Sequence, residues 1–423
     1  MKKSLVWILA VLLLTSALGC GGDKAPGTQT EPAAQTEAKT EPAQQAAAPK
    51  AETPTEAPTA EPTAEPAPAG PVELGQVVYE DHGLRVTALS YEDHRQEAGY
   101  DAQKAFSAFD LVLRIEKTEE GVAFGIRDVS VNGWGGDAVY VDREYMYQLG
   151  KDPAATPDLR EYALRVLPQF VADNGIGSIG RFDGVITWRQ GEDPTGFDLF
   201  SVDLGCPCEP ECPVTVSAFA MYSADGLVYV DNPTDTPVTI TYLLTARDAD
   251  GKPLLTMDMM RGGYACGLTS TVTVRAHAQK LPVAIIQPGR FNWMQEDGQW
   301  AEGQLSFELT PLYAQKDLRT QDISDQLAAV VEGRAQWNDS YVAARFSWPE
   351  DVDRVIYSAT MLRYVGDQVV DATGVSANNL DRNEQDWEND MRDMGSFYLY
   401  AQQKDRADER FEVYVVLARA DEK

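Results

Sequence analysis

Five cysteines and three histidines are the side chains in this sequence best equipped for nucleophilic, redox or metal chemistry, and their spacing limits what they can do. Three of the cysteines form the run Cys206-Pro207-Cys208-Glu209-Pro210-Glu211-Cys212, and Cys266 follows about 54 residues later. In an oxidising compartment an even set of four reads as two disulfides. A Cys206–Cys208 bridge would strain so short a loop. Cys266 is therefore expected to pair with Cys206 or Cys208, or with Cys212 if the tight loop does form. A bridge closing about 60 residues contributes roughly 4 kcal/mol on the chain-entropy model. A four-thiolate zinc site is the rival, but the paired Cys-x-x-Cys knuckles typical of such sites are missing.

The three histidines, His82, His94 and His277, include no H-E-x-x-H and no pair at i, i+4, and no G-x-S-x-G elbow supplies a nucleophile for a triad. Each reads as a surface or strand-end residue. Gly175-Ile176-Gly177-Ser178-Ile179-Gly180 fits the dinucleotide fingerprint, which works only between a strand and a helix N-terminus. Here a helix-like stretch precedes it and a strand follows, so the glycines read as a turn. The acidic run Asp381 to Asp393, with Asp386 and Asp390, offers oxygen ligands for calcium. It fails the EF-hand pattern, with Asp386 where Gly is required and Arg392 where Glu is required. A solvated loop is the expectation, and Asp248-Ala249-Asp250-Gly251 reads as a hairpin turn. Among eight tryptophans, Trp293 and Trp300 flank a turn and are weighed as a sugar platform against the usual core role. No cofactor is expected.

The chain starts Met1-Lys2-Lys3, continues with an apolar run from Leu5 to Leu14, and reaches Ala17-Leu18-Gly19-Cys20. A basic start and an apolar run of about ten residues, far short of the roughly 20 needed to span a bilayer, read as a secretory signal over 1–19. The Ala17 to Cys20 segment resembles the lipobox of bacterial lipoproteins, with Ala17 where Leu is usual. The resemblance implies a diacylglycerol thioether, and a further acyl chain such as palmitate, on Cys20. Several acyl chains, at about 0.8 kcal/mol per buried methylene, would hold the protein on a membrane.

Residues 20–70 form the next segment, in which Gly21 to Gly70 contains nine prolines and no aromatic, Leu, Ile, Val or Met. Such a segment cannot bury enough apolar surface to offset chain ordering, so a disordered Pro/Ala/Thr/Glu stalk is expected. Its reach runs from about 40 Å as a coil to about 150 Å extended. The full chain carries net charge −30; the leader contributes +2 and the stalk −5, leaving −27 from Pro71 to Lys423. That charge, without a basic patch, excludes nucleic acid as a partner.

The elements that must position these side chains are strands. Short apolar-alternating runs separated by turn signals fill the body, among them Leu84 to Leu89, Phe109 to Ile115, Val238 to Leu244 and Arg354 to Met361. The expected fold is all-β, with antiparallel sandwiches over 71–204, 205–315 and 316–423, the second bearing the disulfides.

In the first of these, Tyr79-Glu80-Asp81-His82-Gly83-Leu84-Arg85-Val86 is followed by Arg127-Asp128-Val129-Ser130-Val131-Asn132-Gly133 and Phe170-Val171-Ala172-Asp173-Asn174-Gly175-Ile176. This series resembles the extracellular immunoglobulin-like modules of uncharacterised bacterial lipoproteins. The resemblance implies tandem immunoglobulin-like modules outside the cytoplasm and no particular activity. The expectation is a lipid-anchored, extracytoplasmic, non-catalytic protein, periplasm-facing or at the cell surface, with a structural or envelope-binding role. Its partners would be the membrane through Cys20 and an envelope protein or glycan. A carbohydrate or peptidoglycan binder is the alternative, and a hydrolase with an unrecognised site is the third. Contact loops are expected around Trp134 and Asp137, at Trp293 and Trp300, and at Asp381, Asp386 and Asp390.

Overall fold

Alternation of apolar and polar side chains, as in Phe109-Asp110-Leu111-Val112-Leu113-Arg114-Ile115, puts every second residue on a buried face, and the result is a protein built of antiparallel sheets. The computed structural model describes residues 70–136, 139–141, 159–191, 193–222, 225–258, 263–285, 293–295, 299–318, 321–334, 342–352, 354–381, 396–397 and 408–420. Cys20, Asp137, Asp386 and Asp390 lie outside them.

The first segment contains β1 (Val72–Asp81), β2 (Leu84–Asp93), β3 (Phe109–Lys117), β4 (Val122–Val131), β5 (Trp134–Gly135), β6 (Val139–Val141), β7 (Leu159–Val166), helix α1 (Pro168–Asn174), β8 (Arg181–Gln190) and β9 (Gly196–Asp203). One sheet runs β1-β2-β3-β7-β6 and faces β5-β4-β8-β9. Phe109 and Tyr162 of the first sheet meet Phe182 and Phe124 of the second at ring separations of 5.6 and 6.4 Å. Two hairpins turn through two residues of positive φ, His82-Gly83 (50° and 70°) and Asn132-Gly133 (54° and 81°). Both positions favour Gly and Asn, and such turns match the right-handed twist of the strands they join.

The second segment contains β10 (Thr215–Val216), β11 (Ala220–Tyr222), β12 (Asp225–Asn232), β13 (Val238–Arg247), β14 (Thr256–Asp258), β15 (Gly263–Ala265), β16 (Leu268–Val274), β17 (Ala278–Ile285) and β18 (Ser306–Lys316). β12 pairs with β10 and β11 along one edge and with β17 along the other, while β13 lies between β16 and β18. The third contains β19 (Ala328–Arg334), β20 (Val342–Ser347), β21 (Arg354–Val365), β22 (Gln368–Asp381), β23 (Ser396–Phe397) and β24 (Glu409–Ala420), in sheets β19-β20-β23 and β22-β21-β24. Its core joins Phe346 to Tyr357 at 4.3 Å between rings, with Trp348, Met361 and Ile323 around them.

The segments are not separate beads. β18 pairs in parallel with β5 at Ala314 and Trp134, so one sheet runs β16-β13-β18-β5-β4-β8-β9 across the boundary expected near residue 205. Lys316 closes the same junction: its Nζ donates to the Asp173 carbonyl at 3.1 Å and sits 5.1 Å above the Trp134 ring. At the next junction Asp225 Oδ2 accepts from Thr373 Oγ1 at 2.9 Å and from the Gly374 amide at 3.0 Å, while the Ala284 amide donates to Thr360 Oγ1 at 2.8 Å. One cluster of buried apolar side chains extends from Leu84 to Val416.

Candidate functional site

Two of the three histidines sit at opposite ends of the β1–β2 hairpin, each within a group of polar side chains. At the tight turn, the positive φ of His82 turns its ring onto the Trp188 indole of β8, with ring centres 3.7 Å apart and planes 15° from parallel. Asp198 of β9 completes the group. Its Oδ2 accepts from Tyr79 Oη at 2.8 Å and from Trp188 Nε1 at 2.6 Å, and lies 3.5 Å from His82 Nε2. Burial, with the Asp198 carboxylate beside it, pushes the Tyr79 phenol far above its ordinary value. A phenol held protonated and donating to an acid is a poor nucleophile. The chemistry available here is that of a clamp, which fastens the tip of one sheet to the edge of the other.

At the far end of β2 the chain enters a single 3-10 turn, His94–Gln96, capped by Asp93, whose Oδ1 accepts from the Arg95 amide at 3.1 Å. Arg95 returns to both Asp93 oxygens at 2.7 and 2.6 Å and donates to the Ile176 carbonyl at 2.9 Å. This fixes the turn against the C-terminal end of α1. His94 points the other way, with Nδ1 2.5 Å from Glu97 Oε1 and Nε2 3.6 Å from Asp110 Oδ2. Asp110 is held by Ser107 Oγ at 2.5 Å and lies 3.5 Å from Arg165 Nε. Burial alone would lower the His94 imidazole, but the Glu97 hydrogen bond and the charges of Asp110, Glu97 and Glu92 raise it above its ordinary value.

The cysteines correct one expectation. Cys206 Sγ lies 3.0 Å from the Ile179 carbonyl, and the following loop crosses so close to Gly180 that a Cβ there would meet the Cys206 carbonyl at 2.2 Å. Only glycine fits. Cys212 donates its amide to the Asn132 carbonyl at 2.9 Å. Cys266 instead donates its amide to Thr195 at 3.0 Å, at the start of β9, whereas the other three gather beyond its end. The eight residues of β9 separate the two places by about 25 Å at ~3.3 Å per residue. A disulfide needs Cα atoms within about 7 Å, so Cys266 cannot bridge to Cys206, Cys208 or Cys212. Burial pushes the Cys212 thiol up to about 11 and the Cys208 thiol upward as well.

The tryptophans correct another. Trp134 is 2% exposed at the sheet junction and is core, not a contact loop. Trp293 is 3% exposed and packs edge-on against Phe307 at 5.9 Å, while Trp300 is 58% exposed. One indole of the pair is therefore inside and one outside, and they cannot form a joint sugar platform. Asp381 closes β22 opposite Arg354. Gly175 caps α1 with φ 65° and Arg181 opens β8, which places the glycine-rich segment after a helix and before a strand.

Tyr79, Trp188 and Asp198 around His82, and Glu92, Glu97 and Asp110 around His94, are partners that spacing arguments passed over. Glu92-x-His94-x-x-Glu97 was readable as a local pattern of mixed ligands; Asp110 becomes a neighbour only through the pairing of β2 with β3, and Asp198 only through the packing of the two sheets. At the junction of the second and third segments a cleft of ≈ 290 Å³ is lined by Thr271, Thr273, Ser358, Thr360 and Arg419 among others, and among the described residues no carboxylate, histidine or cysteine lines it. No family model and no curated protein matches the chain.

Proposed function

We propose that this chain is a lipid-anchored extracytoplasmic protein whose sandwich-like segments are immunoglobulin-like modules with a non-catalytic structural or envelope-binding role. The observation that carries this reading is the construction of the junctions. A sheet continued through Ala314 and Trp134, and the Asp225 carboxylate bonded to Thr373 and Gly374, join the segments by hydrogen bonds within folded structure. Modules joined in this way hold their loops in fixed relation, which suits presentation of a surface to a partner. The polar groups support it too: Asp198 is taken up by two donors in a clamp, and the described lining of the cleft offers hydroxyls and a guanidinium. The anchor rests on the basic leader and on the Cys20 lipobox at the head of a stalk that can lift the body clear of the bilayer.

The test is fractionation of cells expressing the full chain. Wild-type protein is expected in the membrane fraction until detergent is added, and Cys20→Ala in the soluble fraction. A mutant that stays with membranes without detergent would remove the lipid-anchor reading. Cross-linking in native membranes followed by mass spectrometry then identifies the partner. Turnover of a glycan or peptide by the purified body would remove the non-catalytic reading.

A further inference from the structure

We propose that Glu92, His94 and Glu97 form a binding site for a divalent transition ion of the zinc type. One ligand atom from each lies within 4.8 Å of the other two. Ligand atoms bonded to one tetrahedral zinc at about 2.0 to 2.2 Å stand about 3.3 to 3.6 Å apart, so closure on the ion needs side-chain movements of about 1 Å. Glu97 can supply them, since its side chain is 48% exposed. An imidazole beside two carboxylates suits zinc and its neighbours, whereas calcium and magnesium prefer oxygen alone.

The turn that carries these ligands is held from behind. The His94 amide donates to the Ala108 carbonyl at 3.1 Å, and Arg95 ties Asp93 to the Ile176 carbonyl on the opposite side. A separate observation comes from β3, which none of the three ligands belongs to. Asp110 places a carboxylate 3.6 Å from His94 Nε2, and Ser107 and Arg165 hold that carboxylate in turn. A carboxylate on the far side of the imidazole is placed to turn toward the ring nitrogen that does not take the ion, the usual second layer of a histidine–metal bond. With three protein ligands and a partly exposed Glu97, the fourth position opens to solvent.

The experiment uses the full mature chain, treated with chelator and with its thiols alkylated so that cysteine cannot contribute, then titrated with Zn²⁺ alone. Wild-type protein is expected to bind one equivalent. His94→Ala and Glu97→Gln are each expected to weaken binding at least 10-fold, and Asp110→Asn by about 10-fold, the common cost of losing a second-layer partner. Glu97→Gln keeps side-chain volume at a half-exposed position, so its far-ultraviolet spectrum and melting temperature should match wild type. Absence of stoichiometric zinc in the wild-type protein, or undiminished binding by both His94→Ala and Glu97→Gln, would overturn the proposal. So would equal competition by millimolar Ca²⁺, which would mark an oxygen-only site elsewhere.

Discussion

Asn132 shows how much a single polar side chain can organise. It is fully buried, holds φ at 54°, donates to the Ser178 carbonyl at 2.7 Å and accepts from the Gly180 and Arg181 amides at 3.0 and 3.2 Å. Truncation would strand three backbone groups, each at about 1 to 3 kcal/mol, so Asn132→Ala is expected to lower stability by about 3 kcal/mol or more in urea denaturation. Asp198→Ala removes the acceptor shared by Tyr79 and Trp188. Because that clamp is partly solvated, the expected loss is smaller, about 1 to 2 kcal/mol, and Tyr79→Phe in the Asp198→Ala background should cost little more. Cys212 gives a pH dependence. Its folded thiol value is raised to about 11, so its contribution is complete below the ordinary thiol value of 9.0 and is lost as pH rises toward 11. Under reducing conditions the urea midpoint should fall between pH 9 and 11 more steeply for wild type than for Cys212→Ser.

At the scale of elements, β9 is the ruler that separates Cys266 from the other three cysteines. Digestion of unreduced protein is expected to yield no peptide linking Cys266 to residues 206–212, and Cys266 should alkylate as a single thiol once the protein is denatured. A mass-spectrometric cross-link between them would contradict the strand register Arg181 to Asp203 and Trp188 to Gly196. The count and spacing of cysteines pointed to pairing because spacing measures contour length. Strand β9 fixes the distance in space, and an extended strand keeps its ends apart.

For the whole molecule, the shared sheet and shared core make the first two segments interdependent. They are expected to unfold together in native-state hydrogen exchange, with amides of β4 and β13 reporting the same opening free energy. The third segment has a core of its own around Tyr357 and Phe346. Asp225→Ala removes the acceptor that binds Thr373 and Gly374, and is expected to let the third segment open at lower free energy than the other two. Equal protection of all three segments in that variant would show that the junction is held by apolar contact alone.

The sequence by itself determined the all-β class, because period-two alternation such as Phe109 to Ile115 is a local property that any sheet must satisfy. It also determined the turn at Asp248 to Gly251, where the Asp248 side chain caps the chain within four residues. Tertiary structure alone decided which sheet each strand joins, and so which side chains meet. Trp134 and Trp293 are amphipathic rings that fit a surface or a core equally well until a neighbouring sheet covers them. His82 found Asp198 through the packing of one sheet on the other, and His94 found Asp110 through the pairing β2–β3, contacts whose partners lie 116 and 16 residues away in the chain. Alternation specifies a face and leaves the partner open, since any apolar face can cover another; the choice among partners is made by the packing of the complete core.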